Sequence, residues 1–165
     1  MNYHNITKDD MLNGDGLRVV LWLAGCTHHC PECQNPQTWD VAGGLLFDEA
    51  AEQELFEALD KEHISGITFS GGDPMHPFNR DEVCALAEKI KEKFPNKTVW
   101  SYTGYLWEEL KDTVDFSNFD VLIDGEYKKE LNDNTLHWVG SSNQRVIDVQ
   151  KSLKENKVVE FCKLR

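Results

Sequence analysis

Long apolar runs are missing from this 165-residue chain. The longest, Val19 to Gly25, falls far short of the roughly 20 residues that span a bilayer, so no membrane segment is expected. The opening stretch MNYHNITKDDMLNGDG has neither a basic nor an apolar region, which excludes a secretory signal and points to the cytoplasm. Positive charge is scarce as well: 17 Lys and Arg face 29 Asp and Glu, for a net charge of −12. A phosphate backbone rewards clustered Lys and Arg, so nucleic acid is excluded as the main partner, and a small molecule or another protein fits better. There is no internal repeat and no low-complexity tract. Cysteines number five, an odd count that argues against a disulfide framework in the cytoplasm.

What is present reads as one α/β domain, 1–165, large enough for a hydrophobic core, with the tail after about 146 the least defined part. LRVVLWLAG (Leu17 to Gly25) is a near-continuous apolar run, expected of a strand buried on both faces. Asp48 then caps a helix with Ala51, Leu55, Ala58 and Leu59 on one face. GITFS is a strand, and Asn79 caps a second helix whose Val83, Leu86, Ala87, Ile90 and Phe94 form one stripe ended by Pro95. KTVWSY, LWEELKD and FDVLID continue the alternation as strand, helix and strand. Such alternation implies βαβ units and a parallel sheet. In the tail, QRVIDVQ is a candidate strand, and SLKENKVVEF either completes a hairpin or trails off.

Four loops of unusual composition, CTHHCPECQN, GGDP, TGY and DGEY, each follow the C-terminal end of an expected strand. Ligand sites are built at that edge of parallel sheets, so the four should share one face. A closed barrel of eight βα units takes about 250 residues, so this chain makes an incomplete (βα) barrel, whose open side suits a large substrate. No P-loop, HExxH or catalytic triad competes for the active site, and NGDGLR precedes a strand instead of following one, unlike a dinucleotide fingerprint.

Cys26, Cys30 and Cys33, spaced C-x3-C-x2-C, point to a metal. Three thiolates can hold three corners of an iron–sulfur cluster and leave one iron open, as a catalytic site requires. The same spacing also allows zinc, with His28 or His29 as fourth ligand; otherwise the two histidines are solvated loop residues. Cys84 belongs to the apolar side of the second helix, and Cys162 could reach the site only if the tail folds back.

C-x3-C-x2-C after the first strand of a βα sheet resembles the radical S-adenosylmethionine enzymes. The wider stretch around it, with Gly14, Gly16, Arg18, Gly25, Asn35, Thr38, Trp39 and Asp40, is similar to the activases of glycyl-radical enzymes. SGGDPMHP, YTGY, DGEY, GSSNQ and the short length narrow the likeness to activases of anaerobic ribonucleoside-triphosphate reductase, over about Asn2 to Arg145. The resemblance implies a radical S-adenosylmethionine partial barrel holding a [4Fe–4S] cluster on the catalytic and metal-ligating Cys26, Cys30 and Cys33. The methionine group of S-adenosylmethionine would chelate the open iron. The reduced cluster would pass one electron to the sulfonium and break its bond to the ribose carbon. The 5′-deoxyadenosyl radical so formed would then abstract a hydrogen from a glycine of the partner reductase. A reduced flavodoxin or similar donor is implied, and a homodimer is allowed.

For cofactor binding, the resemblance puts the backbone of Glu32, Cys33 and Gln34 against the adenine, although Glu32 stands where many members carry an aromatic residue. Gly71, Gly72 and Asp73 would grip the methionine end, as glycines admit close backbone approach. Thr103 would meet the ribose or adenine, with Tyr102 and Tyr105 beside it; the alternative is that these strand-end aromatic residues are simply core. Asp124 either lines the cavity or caps the following segment, and Arg18 either pairs with a carboxylate or lies on the surface. The rivals are an activase of another glycyl-radical enzyme, such as pyruvate formate-lyase, and a non-catalytic zinc or iron–sulfur interaction module. The module gives no reason for the Gly-Gly-Asp-Pro loop.

Overall fold

Near-continuous burial along the central strands and one-sided burial along the helices place apolar residues on both faces of one sheet. The computed structural model describes residues 1–161, so Cys162 lies outside the described residues. Among these, the elements in chain order are β1 (Asn2–Asp10), β2 (Arg18–Leu23), β3 (Leu45–Leu46), α1 (Glu49–Leu59), β4 (Gly66–Gly71), α2 (Arg80–Lys93), β5 (Thr98–Tyr102), α3 (Trp107–Leu110), β6 (Val121–Asp124), β7 (Arg145–Asp148) and α4 (Val149–Glu155). The strands form one open sheet in the order β3-β1-β2-β4-β5-β6-β7.

Only its centre matches the expected parallel sheet. β2, β4, β5 and β6 run parallel, while β1 pairs antiparallel with β2 and with β3 on one side, and β7 pairs antiparallel with β6 on the other. For β1 the reason lies in connection length. A parallel crossover needs a dozen or more residues, and only Met11 to Leu17 separate β1 from β2. β1 itself was not expected. Register shifts interrupt its pairing with β2 and only Ile6 is buried, so no alternating pattern marks it.

α1 forms as expected: Asp48 Oδ1 accepts the Ala51 N–H at 2.9 Å, and Ala51, Leu55, Ala58 and Leu59 are buried. Trimming Leu55 or Leu59 to alanine would cost about 2–5 kcal/mol. The α2 stripe is also buried, but the expected cap is corrected. Asn79 makes no cap with its side chain; its Nδ2 instead donates to the carbonyls of Ala24 (2.8 Å) and Asp73 (3.3 Å), tying two loops together. The tail is corrected too. SLKENK lies largely in α4, capped by Asp148 Oδ1 on the Lys151 N–H, and Glu160 then bridges back to Ile147. No helix of the described residues is long and apolar enough to cross a membrane.

The helices share a core with Val19, Leu21, Leu23, Ile67, Phe69, Val99 and Leu122 on one sheet face. On the opposite face Trp100, Val121 and Ile123 are covered by Trp138, Val139 and Phe161. Arg18 lies on that second face, and both expectations for it are overturned. It is fully buried, pairs with no carboxylate at contact distance among the described residues, and donates to Thr68 Oγ1 (2.9 Å), Thr98 Oγ1 (2.9 Å) and the carbonyls of Asp15, Ile67 and Thr98. Its guanidinium sits 5.1 Å from the Trp100 ring centre, and burial lowers its pKa to about 10. It pins β2, β4 and β5 together far from the loops that matter below.

Candidate active site

The four parallel strands end at Leu23, Gly71, Tyr102 and Asp124, and the loops that follow do converge. A cavity of about 170 Å³ is walled by Cys26, Cys30 and Cys33 from the first loop, Gly71, Gly72 and Asp73 from the second, Thr103 and Gly104 from the third, and Gly125 and Tyr127 from the fourth. The second loop turns because Gly71 adopts φ 98°, and a Cβ there would lie 2.5 Å from the Leu23 nitrogen. A larger hollow of about 510 Å³ lies at the opposite end of the strands, but its acidic walls already serve the fold. Asp120 there accepts the Val99 N–H and pairs with Lys91, and Asp148 caps α4.

All three loop cysteines are free thiols and only partly exposed. Each sulfur faces a backbone N–H: His28 and His29 for Cys26, Tyr127 for Cys30, and Asn35 at 3.4 Å for Cys33. Burial pushes the Cys26 thiol up to about 11 and raises that of Cys30, so without metal these two keep their protons at neutral pH. A bound metal would have to displace them.

Asp73 is the hub. It is 2% exposed, and its Oδ1 accepts the Met75 N–H at 2.8 Å. Its Oδ2 accepts from Gly104 N (2.9 Å) and Thr103 Oγ1 (3.1 Å) and lies 2.7 Å from His28 Nε2. The other ring nitrogen of His28 lies 2.8 Å from Glu126 Oε1. The hydrogen bond to Asp73 is the main cause that raises the His28 pKa to about 9, so the ring is an imidazolium at neutral pH. His28 therefore joins all four loops: its own, Asp73, Glu126, and Tyr105, whose ring meets it edge-on at 4.6 Å. It is neither a solvated loop residue nor available as a zinc ligand. His29 stacks on Trp39 at 4.3 Å, which leaves it no better placed for zinc.

Other expected residues fall elsewhere. Glu32 and Gln34 have exposed side chains outside the cavity wall, and Glu32 pairs with Lys129 Nζ at 2.6 Å. Asp124 is fully buried, yet its carboxylate turns away from the cavity. It accepts the Trp107 N–H at 2.8 Å, thereby capping α3, which precedes it in the chain, and is gripped by Arg145 through Nε (3.0 Å) and Nη2. The Asp73 carboxylate is likewise spent on the protein's own donors. Sequence reasoning missed His28, Asn79 and Glu126, whose partners are distant in the chain and leave no local pattern.

The donor set suits an iron–sulfur cluster. Three unbridged thiols on one loop each meet an N–H, and cluster sulfurs take such hydrogen bonds. Among the described residues no three His, Cys, Asp or Glu side chains converge on one ion, as tetrahedral zinc would require. Residues 12–147 match the family described as "4Fe-4S single cluster domain", so the chain belongs to the iron–sulfur proteins of that class. Curated relatives narrow this. The anaerobic ribonucleoside-triphosphate reductase-activating protein of Enterobacteria phage T4 is 44% identical over 88% of this chain and 93% of its own. The protein of the same name from Escherichia coli K12 is 41% identical over 88% of this chain and 97% of its own. That from Haemophilus influenzae is 39% identical over 87% and 96% respectively. The chain is a member of the anaerobic ribonucleoside-triphosphate reductase-activating protein family.

Proposed function

We propose that this protein is a radical S-adenosylmethionine activase that installs a glycyl radical on anaerobic ribonucleoside-triphosphate reductase. The observation that carries the reading is the cysteine loop: three thiols, not four, each facing a backbone N–H, on the wall of the cavity that Gly71 and Gly72 also line. Cys26, Cys30 and Cys33 would hold a [4Fe–4S] cluster with one iron open. When bound, the cluster and S-adenosylmethionine supply one-electron cleavage of the sulfonium and a radical able to take a glycine Cα hydrogen.

The chain's own residues bind and orient. Gly71 and Gly72 bring bare backbone to the cavity, where the methionine amino and carboxylate groups would lie. Thr103 is fixed by Asp73, and the backbone of Glu32, Cys33 and Gln34 would meet the adenine. The His28–Asp73–Glu126 contacts lock the cysteine loop over the sheet, so the cofactors meet a wall that is already assembled. An incomplete radical S-adenosylmethionine barrel, acting as one cytoplasmic domain, agrees with the open sheet, whose helices share one face. Its open side leaves room for a loop of a large partner. A low-potential protein such as reduced flavodoxin would supply the electron.

Anaerobic reconstitution with iron and sulfide, reduction, and addition of S-adenosylmethionine tests the reading. Formation of 5′-deoxyadenosine with a shifted cluster EPR signal is expected, and loss of both in Cys30→Ala. Tight zinc binding with S-adenosylmethionine left intact would replace the activase with a metal-stapled interaction module.

A further inference from the structure

Trp39 has a buried indole Nε1–H with no hydrogen-bond partner among the described residues. Trp22 shows the ordinary outcome, its Nε1 donating to Thr7 Oγ1 at 2.6 Å. A buried donor left unmet is costly, so such a group marks a place where a partner is missing. Trp39 also stands in the cavity wall with Cys26, Cys30 and Cys33. Its position is fixed from several sides. Its carbonyl accepts the Cys26 N–H at 3.1 Å, its own N–H donates to the Pro36 carbonyl at 3.2 Å, and the His29 ring lies flat against it at 4.3 Å and 10°.

We propose that the Trp39 indole N–H donates a hydrogen bond to a sulfur of the cluster held by Cys26, Cys30 and Cys33, and so sets that cluster's reduction potential. This rests on the iron–sulfur reading above. The three cysteine sulfurs already meet backbone N–H groups, and Trp39 adds a side-chain donor to the same wall. Reduction of [4Fe–4S]2+ to [4Fe–4S]1+ by one electron, supplied in the test by dithionite, adds negative charge that spreads onto the sulfurs. An N–H aimed at a sulfur stabilises that charge and raises the potential.

Trp39→Phe keeps an aromatic ring to stack on His29 but removes the N–H donor together with the five-membered half of the indole. Anaerobic redox titration by EPR should find the variant's midpoint shifted to a more negative potential at equal iron content. In wild-type protein carrying 15N-labelled indole, pulsed EPR of the reduced cluster should show a nitrogen coupling that the variant lacks. An unchanged midpoint together with no such coupling overturns the proposal and leaves the activase reading standing. Should Trp39→Phe fail to take up a cluster, the labelled wild type decides alone: coupling supports the bond, and its absence refutes it. A wild type that assembles no cluster overturns both readings.

Discussion

Gly104 owes its identity to a neighbour 76 positions earlier in the chain, His28. A Cβ built on Gly104 would lie 2.6 Å from His28 Cδ2 and 2.7 Å from Nε2, inside contact distance of the ring itself. Gly104→Ala should therefore lever His28 away from Asp73, whose carboxylate is buried and loses its one charged partner there. Three neutral donors to Asp73 remain, so the cost belongs to a lost charge-assisted bond and not to a stranded charge. We expect about 1–3 kcal/mol less stability in urea unfolding of the metal-free protein; a change indistinguishable from zero would mean that the ring is not held against this backbone. Nothing in CTHHCPEC distinguishes His28 from His29. One ring staples the loops and the other stacks on Trp39, because the first has acidic partners 45 and 98 residues away. Distances of that kind are invisible to spacing rules, which is why the cysteines were legible and the histidine between them was not.

Among the elements, β7 carries the largest ionic commitment. Arg145 on β7 spans Asp124 at the end of β6 and Glu108 in α3, and the hydrogen bond to Asp124 is the main cause that raises its pKa further above the usual arginine range. Asp124 is fully buried. Arg145→Met would leave that carboxylate with the Trp107 N–H alone, and removing one partner of a buried pair costs about 3–5 kcal/mol. Because Arg145 is itself partly exposed, water softens the effect, and about 3 kcal/mol is expected in denaturant unfolding. A loss below about 1 kcal/mol would show that solvent or Glu108 rearrangement replaces the pair. α1 and α2 were legible because burial repeats along one face of each, and the four parallel strands because they are short apolar runs buried almost throughout. β1 has one buried residue and an interrupted register, and the tail lacks an apolar stripe long enough to separate helix from hairpin. Asn79 shows a finer limit. It holds the N-cap position of α2, yet its amide serves the carbonyls of Ala24 and Asp73 instead.

For the molecule as a whole, the convergence of four loops followed from a single topological rule about the carboxyl ends of parallel strands, which made the site's location readable before its contacts. The rule stops at the sheet margins, where β1 and β7 run against their central neighbours. It also predicts how the protein answers to its cofactor. Cluster loading should slow amide hydrogen exchange in residues 70–74, 103–106 and 125–127 as well as in the cysteine loop, since His28 and Asp73 couple them. Protection confined to residues 26–35 would show the loops to be neighbours without coupling.

The contacts of His28 decide how portable this chemistry is. A synthetic peptide copied from residues 26–39 would carry Cys26, Cys30 and Cys33, the paired histidines and the Trp39 indole, and so could capture iron and sulfide. It would carry none of Asp73, Gly104, Tyr105 or Glu126, the groups that grip the ring between its first two cysteines. Capturing a cluster and aiming it are therefore separable properties: the first can be excised as a short sequence, whereas the second belongs to the tertiary fold and cannot be grafted without it.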